Sequence, residues 1–530
     1  MRGTVLTLCA LFANVFCIAC VFAQQSPQVL TIPADQVEDK MRGGMLAQVI
    51  GNLNGRPHEF RYINHPGHVE HYTPSLPDGA VTDDDTDIEW VYLREIACSG
   101  DNFLNPDRIV ALWKRHINRR IFCANRYARD LMDLGFEPPW TGNVGLNPWS
   151  DFNISGQFVC ESFGLMAPAM PQTAARLGVH FTRVGIDGEP AQATQLFTTM
   201  IASAYVERDI DKILDAGLAA VDPQSEIAAV VKTVRTLCQD NPTDWKKTRR
   251  EMKSRWQKRG GIVRERNGYE LNTGCVIAAL IYGHNDFVET LRTAFNFGWD
   301  ADCDAATAAT VVGVMKGRRW MNQQGWDIKD IYRNTSRDDM PNDETLTGLE
   351  NTLIQAARIT IRRAGGEIIA EPSPSKKGSA SEPSPSGKNI TLEPSPAGRG
   401  QGEGALPAAK LYRIPAESPA NIEPLATVQD QRARLRAHFQ PQIKLDLTAP
   451  GVARARAAYL AICLDESEKW KRESPQTWSA AIAELQNHAS IVRDLFHAPK
   501  PLGDNLRRKA EQAGLHDPKH IKLTERPLED

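Results

Sequence analysis

The chain has 530 residues, 62 basic against 65 acidic side chains, a formal charge of −3 and 42% hydrophobic content. At roughly 100–200 residues per domain, this gives room for about two to four domains, or one large domain with additions. The near-balance of charge excludes a general nucleic-acid or membrane-surface binder. Composition also excludes a collagen, a coiled-coil rod and a fully disordered chain, and ten cysteines are too sparse for a disulfide-built mini-scaffold.

At the start, Arg2 precedes an uncharged apolar run from Thr4 to Ala23, which ends in Val21-Phe22-Ala23. This pattern reads as a secretory signal, residues 1–23, cut after Ala23, and predicts a secreted or periplasmic protein. The rival is an uncleaved anchor helix, since the run is nearly long enough to span a bilayer. No later stretch is apolar enough to do so. Cys9, Cys17 and Cys20 belong to this segment, leaving Cys98, Cys123, Cys160, Cys238, Cys275, Cys303 and Cys463. None of the seven forms a CxxC pair, which removes zinc-ribbon and thioredoxin-like readings and leaves any disulfide unassigned.

Residues 41–365 show helical periodicity and little β-alternation. Asn105-Pro106 has the order of a cap followed by a first-turn proline, with Ile109, Leu112, Trp113 and Ile117 on one face. Leu196, Phe197, Met200, Ile201, Ala204 and Tyr205 mark a second helix. Ser225 is placed to cap a third, and Asp343 to open another carrying Leu346, Leu349, Leu353, Ile354 and Ala357. The fold class expected is all-α, with one large helical domain over 41–365.

Residues 366–410 break this pattern. EPSPS at Glu371 and Glu382 and EPSPA at Glu393 recur within a stretch that is about half Pro, Gly or Ser. Such a segment buries too little apolar surface to offset its ordering entropy and reads as a flexible linker. Residues 411–530 become helical again, with Ser474-Pro475 opening a helix that carries Trp478, Ile482, Leu485, Ile491 and Leu495. This part shows no catalytic constellation and reads as a small helical accessory domain of unassigned partner.

Two acidic clusters carry the chemistry. Asp83-Asp84-Asp85-Thr86-Asp87 leads into an apolar helix expected to begin near Asp85. Asp300-Ala301-Asp302-Cys303-Asp304 leads into a helix of small residues. Helix N-termini favour carboxylates, yet so many aspartates repel one another and, if buried, call for a cation. Carboxylates without His or paired Cys select hard ions such as Mg²⁺, Mn²⁺ or Ca²⁺. An EF-hand fails at both places: the required Gly is Ala305 or Ile88, and the required Glu is Val311 or Arg94. No P-loop, strand-linked GxGxxG, GxSxG or HExxH occurs.

With these motifs the chain resembles the ADP-ribosylglycohydrolases, the group that includes the dinitrogenase reductase-activating glycohydrolase. Arg42–Asn52 and Gly55-Arg56-Pro57-His58-Glu59-Phe60 look like the family's opening helix and its glutamate. Asp83–Thr86 looks like its Ser/Thr-Asp-Asp-Thr motif, and Gly298–Cys303 like its Gly-x-Asp-x-Asp-Thr/Ser motif. GQFVCESFGLMAPAMPQTAARLG and LFTTMIASAY resemble the helical middle. The resemblance covers about 41–365.

It implies a compact all-α domain, a site for two metal ions, Mg²⁺ with Mn²⁺ as the other possibility, and hydrolysis at the anomeric carbon of an ADP-ribosyl or related ribosyl substrate. Asp84, Asp85, Asp300 and Asp302 would be metal ligands, with Asp83 where the family has Ser or Thr. Glu59 would be the catalytic base or gate. Three departures stand out. Asn52 replaces an aspartate, and the region of Thr182-Arg183 lacks a histidine. Cys303 replaces a Thr/Ser ligand, which brings in Asp304 or a backbone carbonyl as a substitute. Alternatives are a non-catalytic metal-dependent ribosyl- or sugar-binding protein, and a glycohydrolase for a nucleoside-like or other glycoside.

Overall fold

Two helices that are buried on every side over long stretches meet at the centre of the molecule. The first, α1 (Ala34–Gly55), is buried without interruption from Gly43 to Asn52, and the second, Ala301–Lys316, from Ala301 to Met315. They run antiparallel in close contact, because glycines meet small residues along the seam. A Cβ added at Gly43 would lie 2.6 Å from Gly313 O, at Gly51 2.5 Å from Ala305 O, and at Gly55 2.4 Å from Asp302 Cα. The C-terminal end of α1 therefore sits against the N-terminus of Ala301–Lys316, and this contact builds the site. The structure, a computed structural model, describes residues 29–257, 262–370 and 409–518. The expected signal and the EPSPS repeats lie outside the described residues.

The expected helices pack around this pair. They include α2 (Asp84–Ser99), α3 (Pro106–His116) and α4 (Cys123–Asp133), then Glu189–Ser203, Glu226–Asp240 and Leu346–Arg363. Asn105 caps α3 by accepting from Arg108 N at 2.8 Å, and Ser225 caps its helix by accepting from Ala228 N at 3.1 Å. The fold is all-α with two small three-stranded sheets. In one, β2 (Ala80–Val81) runs parallel to β3 (Tyr332–Arg333), which pairs antiparallel with β4 (Asp343–Glu344). Asp343 therefore does not open the next helix. It is a strand residue opposite Arg333, and Thr345 caps instead, accepting from Gly348 N at 2.8 Å.

In the other sheet, β1 (Val29–Pro33), β5 (Glu367–Ala370) and β6 (Ala409–Pro415) take the order β1-β6-β5. Residues 367–370 and 409–410, assigned to the linker by composition, are thus sheet residues. The period-two signal lies in Tyr412 and Ile414, both buried. Tyr412 accepts from Arg358 Nε at 2.9 Å and bonds Glu38, which ties the strand to α1.

The C-terminal part is helical from Val428 onward. The helix opened by Pro475 ends at Gln486, and Ile491 and Leu495 belong to a separate helix, Ala489–Phe496. The six-residue step from Leu485 to Ile491 already departs from a 3.6-residue period. These helices do not close a core of their own. Leu435, Phe439, Tyr459 and Leu495 share one apolar cluster with Tyr127, Leu131, Phe136 and Trp149. Across this junction Tyr127 OH meets Tyr459 OH at 2.8 Å, Arg126 pairs with Asp494 at 2.6 Å, and Trp149 Nε1 donates to Asp494 O at 3.0 Å. The seven cysteines among the described residues are unpaired, five of them buried. Among the described residues no helix is long and apolar enough to cross a membrane.

Candidate metal centre

Asp83 and Asp300 are the N-cap residues of α2 and Ala301–Lys316, the position where an aspartate ordinarily accepts a bond from its own helix. Neither does so. Asp83 instead faces Asn52, whose Nδ2 donates to it at 3.2 Å, and Arg56, at 3.3 Å. Asp300 Oδ2 accepts from Asn267 Nδ2 at 2.8 Å, and its backbone N–H donates to Asn272 Oδ1 at 3.2 Å. Both carboxylates are thus turned away from capping and toward a common space.

Three groups of ligand atoms gather there, the atoms of each lying within 4.8 Å of one another: Glu59 with Asp300 and Asp302, Asp85 with Asp302 and Cys303, and Asp83 with Asp84 and Asp85. Asp302 and Asp85 each belong to two groups, so the three form one continuous constellation. The two acidic clusters, far apart in the chain, meet because the α1 seam holds the start of Ala301–Lys316 beside the start of α2. Asp304 is the candidate that does not join. Its Oδ1 accepts from Gln157 Nε2 at 2.9 Å, its side chain contacts the Cys275 thiol, and two helical steps, about 200°, turn it away from Asp302.

The backbone around the site is constrained. Phe60 and Trp299, which follow Glu59 and precede Asp300, both adopt left-handed φ, 52° and 60°, a conformation that costs free energy in a bulky residue. A Phe60 N to Trp299 O bond of 2.8 Å joins the two segments. The loop is braced from behind by Arg249, buried, whose Nε donates to Phe297 O at 2.6 Å and whose guanidinium also bonds Tyr62 O and stacks 4.5 Å from the Trp299 ring centre.

Electrostatically the site is a concentration of like charge out of water. Burial, reinforced by neighbouring carboxylates, holds Asp84, Asp85 and Asp302 well above the ordinary carboxylate range. Asp300 is raised likewise by burial and Glu59, and Asp304 by burial. Glu59 is pushed up to about 8 by the protein crowding its carboxyl and by Asp302 and Asp83, against the pull of Arg56 and Arg266. Its side chain keeps a solvent-exposed edge, which softens that shift. Asp85 Oδ1 and Asp302 Oδ1 are buried and meet no N–H or O–H donor. An unpaired buried oxygen is costly, and a carboxylate set with orphaned oxygens fits a bound cation. A cavity of about 580 Å³ lies elsewhere, lined by Phe103, Ile109, Arg176, His180, Arg183 and Arg434, and contains none of these residues.

Asn52 was visible in the sequence as a departure from the family pattern, but not as a partner of Asp83 and Asp85, both of which its amide bonds. Arg56 lies within the glutamate motif, where the resemblance gives it no role, and Arg249, Arg266 and Asn267 carry no sequence signal; only the fold brings them to the site. Thr182 bonds Thr194 at 3.0 Å and Arg183 pairs with Asp187 at 3.4 Å, which are structural contacts.

No curated protein matches the chain. A solved structure described as an ADP-ribosylglycohydrolase-related protein complex is similar at 16% identity, covering 62% of this chain and 99% of that one with a TM-score of 0.39. The sequence model for ADP-ribosylglycohydrolase matches residues 33–358, more than half the length and the whole of the carboxylate constellation. The chain therefore belongs to the ADP-ribosylglycohydrolase family.

Proposed function

We propose that the protein is a metal-dependent hydrolase that cleaves a ribosyl glycosidic bond, with an ADP-ribosyl group or a related riboside as substrate. The observation that carries this reading is the convergence of Glu59, Asp83, Asp84, Asp85, Asp300, Asp302 and Cys303 in one place. Two ions are proposed, with Mg²⁺ or Mn²⁺ suited to the all-carboxylate group of Glu59, Asp300 and Asp302. When bound, such ions hold ribose hydroxyls and lower the pKa of a water.

The residues of the chain supply the rest. Asn52 and Asn267 orient Asp83, Asp85 and Asp300 through the hydrogen bonds that their side-chain amides donate. Glu59, at the exposed edge, is placed to take a proton from a water attacking the anomeric carbon, or to stabilise positive charge on the sugar. It must be ionised to do either, so the balance between the neighbouring aspartates and the two arginines sets its working pH. Export, with cleavage after Ala23, remains part of the proposal and points to a riboside met outside the cytoplasm.

The test is release of free ADP-ribose or ribose from ADP-ribosylated protein and small ribosides, with and without divalent ions. Turnover that stops on chelation, returns with Mg²⁺ or Mn²⁺, and falls about 10²–10⁴-fold in Glu59→Gln is the expected result. Binding without turnover across the substrates would favour a sugar-binding protein. No divalent-ion binding by calorimetry would overturn the reading altogether.

A further inference from the structure

We propose that Cys303 makes the inner part of this centre, Asp85 with Asp302 and Cys303, a mixed oxygen–sulfur site that takes a borderline divalent ion such as Zn²⁺ in preference to Mg²⁺. The inference rests on the metal-dependent reading above and adds what that reading leaves open, the identity of one of its ions.

The geometry comes first. The Cys303 sulfur and one oxygen each from Asp85 and Asp302 lie within 4.8 Å of one another, close enough to share an ion. Cys303 is buried in the first turn of Ala301–Lys316. A helical side chain there points back toward the N-terminus, where Asp302 and the start of α2 lie. Among the described residues it is the one cysteine grouped with two carboxylates in this way.

A second observation points independently to a ligand. Asp85 Oδ1 and Asp302 Oδ1 are both shielded from water with no N–H or O–H donor. Their strongest electrostatic neighbours are other aspartates, whereas Arg56 and Arg266 act on Glu59 at the outer edge. The inner group thus lacks the cationic side chains that the outer group has.

The neighbouring carboxylate lies outside the ligand groups. Asp304, the neighbouring carboxylate, is held by Gln157 and turned toward Cys275. The third side-chain donor to the inner ion is therefore sulfur. Thiolate is a poor ligand for magnesium and a good one for zinc, cadmium and cobalt. The thiol releases its proton to solvent as the ion enters, so charge balances without any redox step. The outer group, carboxylate throughout, keeps its preference for a hard ion.

The test uses the full chain, stripped of metal and titrated with Cd²⁺ and with Co²⁺ while the ultraviolet sulfur-to-metal charge-transfer absorption is followed. One equivalent of ion is expected to raise that band in the native chain. Cys303→Ser and Cys303→Thr are each expected to abolish it; threonine carries the oxygen that the family resemblance places there. Calorimetric competition should show Zn²⁺ preferred over Mg²⁺ at one site, with the preference falling at least about 10–100-fold in either variant. Mg²⁺ or Mn²⁺ binding with no charge-transfer band in the native chain overturns the sulfur ligand and leaves the hydrolase reading intact. A band that persists in both variants assigns it to another thiol, such as exposed Cys98, and also overturns the proposal. Failure of every divalent ion to bind overturns the metal reading itself.

Discussion

Gly55 and Asp302 approach so closely that a Cβ at position 55 would stand 2.4 Å from the Asp302 Cα and 2.9 Å from Ala301 O. Asp302 belongs to two of the three ligand groups, so the absence of a side chain at one residue of α1 fixes where the shared carboxylate stands. Gly55→Ala is therefore expected to push the two helices apart at the metal centre. Overpacking of this kind costs about 1–3 kcal/mol, read as a fall in the urea midpoint. Displacement of Asp302 should also weaken divalent-ion binding by calorimetry, on the order of 10–100-fold. Unchanged ion affinity in a destabilised variant would show that Asp302 is not a ligand.

Asp87 lies two residues beyond Asp85 and pairs with Arg337 at 2.7 Å, both side chains wholly shielded from solvent. Ser336 also donates to Asp87, and Arg337 donates to Arg119 O at 2.8 Å and Arg120 O at 3.1 Å. The pair thus anchors the ligand-bearing start of α2 to a loop after β3. Removing one partner leaves a buried charge, so Arg337→Met is expected to cost about 3–5 kcal/mol. The double variant Arg337→Met with Asp87→Leu should recover most of it. Burial raises Asp87 from 3.8 to about 6 in spite of Arg337. A carboxyl raised on folding binds its proton more tightly in the folded state. Its contribution to stability is thus greatest at acid pH and declines as pH rises from about 4 to about 6. Arg337→Met should extend that decline to higher pH, seen in the pH dependence of the melting temperature.

The helices with a regular stripe or a cap, such as α3 with Asn105 and Glu226–Asp240 with Ser225, are legible from local pattern because the same side chains set both the pattern and the fold. The metal motifs are legible for a different reason: Asp83, Asp84, Asp85, Asp300 and Asp302 stand at fixed offsets from two helix starts. Their union is not local. It depends on glycines at 43, 51 and 55 meeting Gly313, Ala305 and Asp302 across the chain, and spacing along one helix does not name the partner. Asn267, Arg266 and Arg249 are invisible for the same reason. β4 and the ends of β5 and β6 are too short, or too close to the proline-rich repeats, to carry an alternation signal. The shared core of the C-terminal helices also escapes, because an apolar face on α4 does not say what covers it.

Ion binding should be coupled to proton release. Glu59 is raised from 4.5 to about 8, and Asp85, Asp300 and Asp302 are raised by burial and mutual repulsion. Carboxyls coordinate in the ionised form, so uptake of an ion must expel the protons they hold. Affinity is expected to fall as pH drops below about 8, the value for Glu59. The apparent binding enthalpy should vary with the ionisation enthalpy of the buffer, and fewer protons should leave in Glu59→Gln. The metal-free protein should also lose stability as pH rises from about 4.5 toward 8, since these carboxyls are most at ease protonated. Excess ion should flatten that slope. A proton count of zero at pH 7 would show that the carboxylates are already ionised without an ion.

The C-terminal helices are expected to be indispensable for folding whatever they bind. They cover Tyr127, Leu131, Phe136 and Trp149, and Asp494 receives both the Arg126 guanidinium at 2.6 Å and the Trp149 indole N–H at 3.0 Å. Truncation after Pro415 keeps the strand β6 but uncovers that apolar face and leaves Arg126 without its carboxylate. Such a patch drives association, so the truncated chain should be recovered as soluble aggregate or insoluble protein. Asp494→Ala tests the same junction more gently. It strips the buried guanidinium of its partner, and a loss of about 3–5 kcal/mol is expected by denaturant titration. Because α4 does not carry the ligand groups, ion binding per folded molecule should be unaltered in that variant. If the truncated chain were instead soluble, monomeric and as stable as the full one, the two cores would be independent and the residues after Pro415 would be an appended domain.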